Sequence, residues 1–172
     1  MRRVSVPLDR VALIGVGASS LALDLVDSGY SSIEAVDLSS EALRQLKLRL
    51  GDRSEGVRFV TSDVREVRFE GQVDLWHDRA TLHFLNDALD QSQYAARAAE
   101  AVRRDGYLIV ATFGANGPEQ CSGLPVTRHT PSSLATLFAG SFDLRESFDV
   151  VHTTPWGSTQ AFTYAVFTRN DR

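Results

Sequence analysis

The stretch Val11–Asp37, VALIGVGASSLALDLVDSGYSSIEAVD, decides how this chain is read. An apolar run, Val11 to Gly15, enters a glycine-bearing turn, Gly15-Val16-Gly17-Ala18-Ser19. A helical pattern follows, and a second apolar run ends on an acid, Asp37. Glycines at such a turn let backbone approach a ligand with no Cβ in the way. An acid about 20 residues further on, at the next strand end, stands where a bound ribose presents its hydroxyls. The spacing is that of a nucleoside-cofactor site.

Outward from this segment, the chain alternates strands and helices. Val11–Gly15 is a short, wholly apolar strand suited to burial on both faces of a parallel sheet. Ser19 or Ser20 caps a helix that Gly29 closes. Ile33–Asp37 is the second strand. Ser39 or Ser40 opens a helix carrying Leu43, Leu46 and Leu50 and ending at Gly51. Val57–Thr61 and Val73–His77 are the third and fourth strands. Asp90–Arg104 reads as a long helix with Arg103 and Arg104 at its negative end. Tyr107–Thr112 is the fifth strand, and a loop from Phe113 to His129 follows. Thr130-Pro131 opens a short helix to about Phe138. Two strands, around Phe142–Val151 and Gln160–Thr168, are joined by a Pro155-Trp156-Gly157 turn. The pattern predicts an α/β, doubly wound, mostly parallel sheet with a terminal antiparallel hairpin. Gly15–Ser19, Asp37, Asp63 and His77–Arg79 all fall at strand carboxyl ends, where such sheets bind ligands.

Composition narrows the function. The 172 residues suit one domain with a sizeable core. A net charge of −4 argues against nucleic acid as a partner. The single cysteine, Cys121, and four scattered histidines offer no metal-ligand spacing, so no metal is expected. The Val11–Leu23 run is too short to span a bilayer, so no membrane is expected. Arg2 and Arg3 ahead of VALIGVGASSLAL imitate a secretion signal, but Asp9 and Arg10 interrupt the pattern, and cleavage there would remove the first strand. A cytoplasmic location follows.

The motifs IGVGAS, AVDLS, FVTSDV, DLWHDRATLHFL and RRDGYLIVATF together resemble the class I S-adenosylmethionine-dependent methyltransferases over nearly the whole chain. WHDRATLHFL, ATFGANGPEQCSGLPV and TPWGSTQAF further resemble small bacterial methyltransferases related to the thiopurine and tellurite-resistance enzymes. The resemblance implies one domain over residues 1–172 and a seven-stranded sheet of order 3-2-1-4-5-7-6. It implies S-adenosylmethionine as cofactor and methyl transfer to a small-molecule N, O or S acceptor. Position by position it places Gly15, Val16, Gly17 and Ala18 under the cofactor and Asp37 with Leu38 at the ribose. Asp63 with Val64 falls at the adenine amine, and His77 with Asp78 at the methionine end.

In two places the chain departs from that pattern. Leu13 stands where the family carries an acid for the cofactor's ammonium group, and Asp78 is expected to supply the missing charge. The family's N-terminal lid segment is largely absent ahead of Val11. An open pocket, a covering homodimer or partner chain, and an upstream start are the three expectations. His83 is the expected general base, with Asp78 second. The loop from Phe113 to His129 is expected to cover the acceptor side.

Simpler readings stand beside these. Asp37 also suits a turn, Ser62-Asp63 a helix cap, and His77 or His83 a hydrogen-bonded interior position. Cys121 reads as an inert packing residue. A cofactor-binding but weakly active partner subunit, a protein lysine methyltransferase and a nicotinamide enzyme are the alternative functions.

Overall fold

The computed structural model describes residues 9–154 and 157–171; the expected signal-like Arg2-Arg3 pair and Pro155-Trp156 of the hairpin turn lie outside them. Seven strands form one sheet: β1 (Val11–Ile14), β2 (Ile33–Asp37), β3 (Val57–Thr61), β4 (Val73–Arg79), β5 (Val102–Phe113), β6 (Phe142–Thr153) and β7 (Thr159–Arg169). Their order is β3-β2-β1-β4-β5-β7-β6. β1 to β5 run parallel, and β7 lies antiparallel between β5 and β6. This is the predicted doubly wound sheet with its terminal hairpin.

Each element follows from its residues. β1 is central, so all four of its side chains are buried, as its unbroken apolar run requires. α1 (Leu21–Asp27) buries Ala22 and Leu25. α2 (Ser40–Leu50) is capped by Ser39, whose hydroxyl accepts from Ala42 N at 3.2 Å. Its Leu43, Leu46 and Leu50 fall on one stripe and are buried, each worth roughly 2 kcal/mol of burial. α3 (Ala88–Ala101) starts at Asp87, which accepts from Leu89 N, and buries Tyr94, Ala98 and Ala101. α4 (Pro131–Phe138) carries a reciprocal cap between Thr130 and Ser133. One core joins α1 and α2 to one sheet face; the other joins α3 and α4 to the opposite face.

The structure corrects three expectations. α3 ends at Ala101, and Arg103 and Arg104 belong to β5, where Arg103 pairs with Asp74 and Arg104 with Asp171. Asp105, at φ +57°, bulges the strand there, and a helix cannot continue through it. The β3–β4 connection, residues 62–72, contains no helix; Asp63 instead caps a single turn, its carbonyl accepting from Glu66 N and Val67 N. The loop after β5 holds a small ladder, Gln120–Cys121 against Leu124–Pro125.

Candidate functional site

The glycine turn between β1 and α1 is held by contacts within the chain itself. Gly15 and Gly17 sit at φ +64° and +44°, a region that L side chains rarely adopt. A Cβ on Gly15 would stand 2.0 Å from the Thr81 hydroxyl oxygen, so the turn after β4 lies directly against it. The Asp37 carboxylate accepts from Gly17 N at 2.9 Å and from Ser39 N at 2.8 Å, tying the turn to the start of α2. Arg49, from α2, donates to the carbonyls of Ala18 and Ser19 at 3.2 and 3.3 Å.

Two cavities meet over the carboxyl end of β1, sharing Ile14 and Gly15. The larger, about 650 Å³, is walled by Asp37 and Leu38 after β2, Asp63 and Val64 after β3, and Phe84 with Leu124 and Pro125 opposite. The smaller, about 390 Å³, lies on the α1 side between Leu13, Val16, Asp24, His77, Arg79, His152 and Tyr164. The structure therefore brings Gly15, Asp37, Leu38, Asp63 and Val64 together on one cavity, and Gly15, Val16 and His77 on the other. Gly17 and Ala18 form the turn without lining either. Leu38 projects into solvent, 74 % exposed.

Asp63 is held by Arg65, which donates to it through Nε and Nη2 at 2.9 and 2.6 Å and through its backbone N. Arg65 also reaches Asp90. Those hydrogen bonds keep the Asp63 carboxyl below the usual range against a smaller opposing effect of burial. Three bonds occupy three of about four acceptor positions, so one remains. Asp37, with two bonds made, retains two.

Two sequence assignments fail on burial. Asp78 is fully buried and aims at α3: it accepts from Thr81 N (2.8 Å), Leu82 N (3.0 Å) and the Tyr94 hydroxyl (2.7 Å). Trp76 Nε1 donates to the same Tyr94 oxygen. Burial raises the Asp78 carboxyl to about 6, against these hydrogen bonds. It lines neither cavity and cannot supply the charge absent at Leu13. His83 is equally sealed: its Nδ1 accepts from Phe113 N at 3.4 Å, its carbonyl accepts from Thr127 N, and its ring lies against Phe84 and Phe113. Burial depresses it to about 4. It fastens the loop after β5 and does not face an acceptor.

Part of that loop stands over the larger cavity. Asn86 Nδ2 donates to the Pro125 carbonyl, which holds the small ladder over the larger cavity and away from the smaller one. Cys121 packs, half-buried, with Ala111, Phe113 and Phe162. Among the described residues no cluster of three or more His, Cys, Asp or Glu could hold a metal ion, and no helix is long and apolar enough to cross a membrane.

Sequence reasoning missed Asp24, Thr81 and Tyr164, which line these cavities, and gave Arg79 only its place at a strand end. Strand alternation carried the signal for Arg79. With β4 extended to Arg79, positions 75, 77 and 79 share one face and 76 and 78 the other.

Comparison with known proteins bears on this geometry. The family profile described as "Methyltransferase domain" matches residues 13–110, more than half of the chain. A Mus musculus protein named eEF1A lysine and N-terminal methyltransferase is 35% identical over 63 residues, covering 37% of this chain and 9% of that protein. The chain thus spans only a small fraction of the curated relatives it matches. An S-adenosylmethionine-dependent methyltransferase from Methanosarcina mazei superposes with a TM-score of 0.81 at 17% identity, over 98% of this chain and 96% of that one. The 1,6-didemethyltoxoflavin-N1-methyltransferase of Burkholderia thailandensis, solved with its acceptor and S-adenosylhomocysteine, superposes with a TM-score of 0.73 at 24% identity, over 95% and 72%.

Proposed function

The chain belongs to the methyltransferase-domain family, and from that premise we propose that it moves a methyl group from S-adenosylmethionine to a nitrogen, oxygen or sulfur of a small molecule. The observation that carries this reading is the pair of cavities joined at Gly15, one of them walled by two acids with acceptor positions to spare.

The residues fit the cofactor. Asp37 offers its two spare acceptor positions to ribose hydroxyls, and Asp63 its one to the adenine amine. Leu38 and Val64 offer apolar surface to the ring. The turn Gly15-Val16-Gly17-Ala18 passes beneath, and His77 stands towards the methionine end. When bound, S-adenosylmethionine supplies a methyl on a sulfonium: the acceptor's lone pair forms the new bond and the C–S electron pair returns to sulfur. The chain aligns the two reactants and keeps water out. Asp78 and His83, sealed from both cavities, take no proton in this scheme, so an acceptor protonated at neutral pH releases its proton to solvent.

A second reading, methylation of a protein lysine or amino terminus, is favoured by the likeness to the mouse enzyme. Calorimetry with S-adenosylhomocysteine and NAD at equal concentration tests the cofactor; binding of the first alone is expected, and binding of NAD alone overturns the proposal. Turnover of S-adenosylmethionine across amines, thiols, phenols and lysine-bearing peptides then separates the acceptors. Small-molecule turnover is expected, and turnover confined to peptides establishes the second reading.

A further inference from the structure

The sheet has two outer edges, and they are built differently. β3, at one end, is five residues long. Lys47 from α2 lies 5.9 Å from the centre of its Phe59 ring, and none of its apolar side chains is exposed. Short length and a nearby lysine are the usual protection of an edge. β6, at the other end, is twelve residues long and contains no lysine or proline. It leaves Leu144, Phe148, Val150 and Val151 exposed, Val151 to 67 %. Half of the exposed large hydrophobic side chains among the described residues lie on this one strand. Its outer side pairs with no strand among the described residues.

The strand is complementary to a copy of itself. Across the hairpin Thr154 N donates to Ser158 O, so Thr154 turns its peptide groups towards β7. Strand alternation turns those of His152, Val150, Phe148 and Glu146 the same way, and leaves those of Thr153, Val151, Asp149 and Ser147 pointing outward. An antiparallel copy must match outward residues with outward residues, so its two-fold axis passes through a residue and not between two. An axis through Asp149 sets two aspartates opposite each other, which is repulsive. An axis at Phe148 or earlier runs the pairing into the bulge between Leu144 and Glu146, and one at Val151 pairs fewer residues. An axis through Val150 avoids all three faults. It bonds Asp149 to Val151 of the copy and Ser147 to Thr153. On the face shared with Tyr164 it sets Val150 against Val150 and Phe148 against His152. Phe148 is stacked on Tyr164, ring centres 5.3 Å and planes 3° apart, and Tyr164 and His152 both line the smaller cavity.

We infer that two copies of this chain pair antiparallel through β6 about a two-fold axis at Val150, so that Phe148 of each copy stands beside His152 on the wall of the other's smaller cavity. The joint is isologous and closed, and it leaves the short, protected β3 as the edge at both ends of the doubled sheet. It stands apart from the methyl-transfer reading, since a chain that binds no S-adenosylhomocysteine can pair in the same way.

Light scattering from about 1 μM to about 1 mM is the first test. A mass rising from 18.9 kDa towards twice that value is expected, and 18.9 kDa throughout overturns the pairing. Cysteine crosslinking in a Cys121→Ala background, which removes the native thiol, tests the register. Val150→Cys puts two thiols on the axis at a non-hydrogen-bonded pair, about 4.5 Å between Cα atoms, and mild oxidation is expected to link them. Ser147 pairs with Thr153, so two thiols from Ser147→Cys lie about 20 Å apart and are expected to stay unlinked. No link in Val150→Cys, or equal linking in both, overturns the assigned axis. Val150→Lys sets two ammonium groups against each other across the axis. Circular dichroism is expected to show its fold unchanged and light scattering a monomer; pairing at the wild-type level overturns the inference.

Discussion

The two cavities that meet at Gly15 are built by different means. The larger takes its acids from the last residue of β2 and the second residue past β3, so each lies at the end of a strand that the sequence announces. The smaller draws Asp24, Arg79, His152 and Tyr164 from a helix, an inner strand and the terminal hairpin, which only the folded sheet brings together. Local sequence grammar therefore marks the larger cavity. Sheet geometry builds the smaller one.

Gly15 belongs to both cavities, so replacing it should erase the distinction. Gly15→Ala places a Cβ 2.0 Å from the Thr81 hydroxyl at a positive φ. Strain and overlap together should cost about 3–5 kcal/mol. Thermal unfolding is expected to show that loss. Calorimetry is expected to show two ligands gone: S-adenosylhomocysteine, and 5′-methylthioadenosine, which keeps the nucleoside and sulfur but lacks the amino-acid end. Retention of either ligand at wild-type affinity would break the view of a shared floor.

Acid should probe the buried ionisable groups, of which His77 lines the smaller cavity while His83 and Asp78 line neither. His77 and His83, held by burial at about 4 against a usual 6.5, accept protons in the unfolded chain before the folded one. Stability should therefore fall as pH drops from about 6.5 to 4, by on the order of 3 kcal/mol per histidine over the whole window. Asp78 acts the other way: raised to about 6 from 3.8, it holds a proton more tightly when folded and offsets part of the loss. Denaturant titrations across pH should show a shallower acid loss for His83→Asn and a steeper one for Asp78→Asn. Neither substitution should alter the ratio of the two ligands' affinities; an altered ratio would place these groups in the site after all.

Asp37→Ala sharpens the comparison from the other side. It strips Gly17 N and Ser39 N of their acceptor, at about 2 kcal/mol. Both ligands should weaken together, by about tenfold or more, since both carry the nucleoside. A selective loss of S-adenosylhomocysteine would contradict the assignment of this cavity. Arg49→Ala should have the smallest effect, because its bonds to Ala18 and Ser19 are long and exposed. A loss of about 0.5–1 kcal/mol in binding, again equal for both ligands, is the expected calorimetric result.

Whereas the sheet order came from the family resemblance, β1 to β3 and the caps of α2 and α4 were legible because each follows from local periodicity and one polar punctuation mark. Gly15, Asp37 and Asp63 were legible for the same reason. Arg103 and Arg104 were misread as a helix end because a charge run suits a helix terminus and a bulged strand start alike, and pairing with β4 decided between them. His83 and Asp78 were misread because burial is a property of the fold. A histidine and an aspartate beside a strand end look alike in sequence whether they face a cavity or α3. Period-two alternation along β4 would have sent Asp78 to the Trp76 face and His77 with Arg79 to the other.

The twin bonds of Asp37 have a consequence for how this protein meets its ligand. This carboxylate staples the bend to the following helix, so one wall of the larger cavity is set by the chain's own hydrogen bonds. Rigidity acquired during folding need not be acquired again at encounter, and association should carry little entropic penalty from the polypeptide. Loosening that staple would then register as disorder to be frozen out, over and above any contact removed.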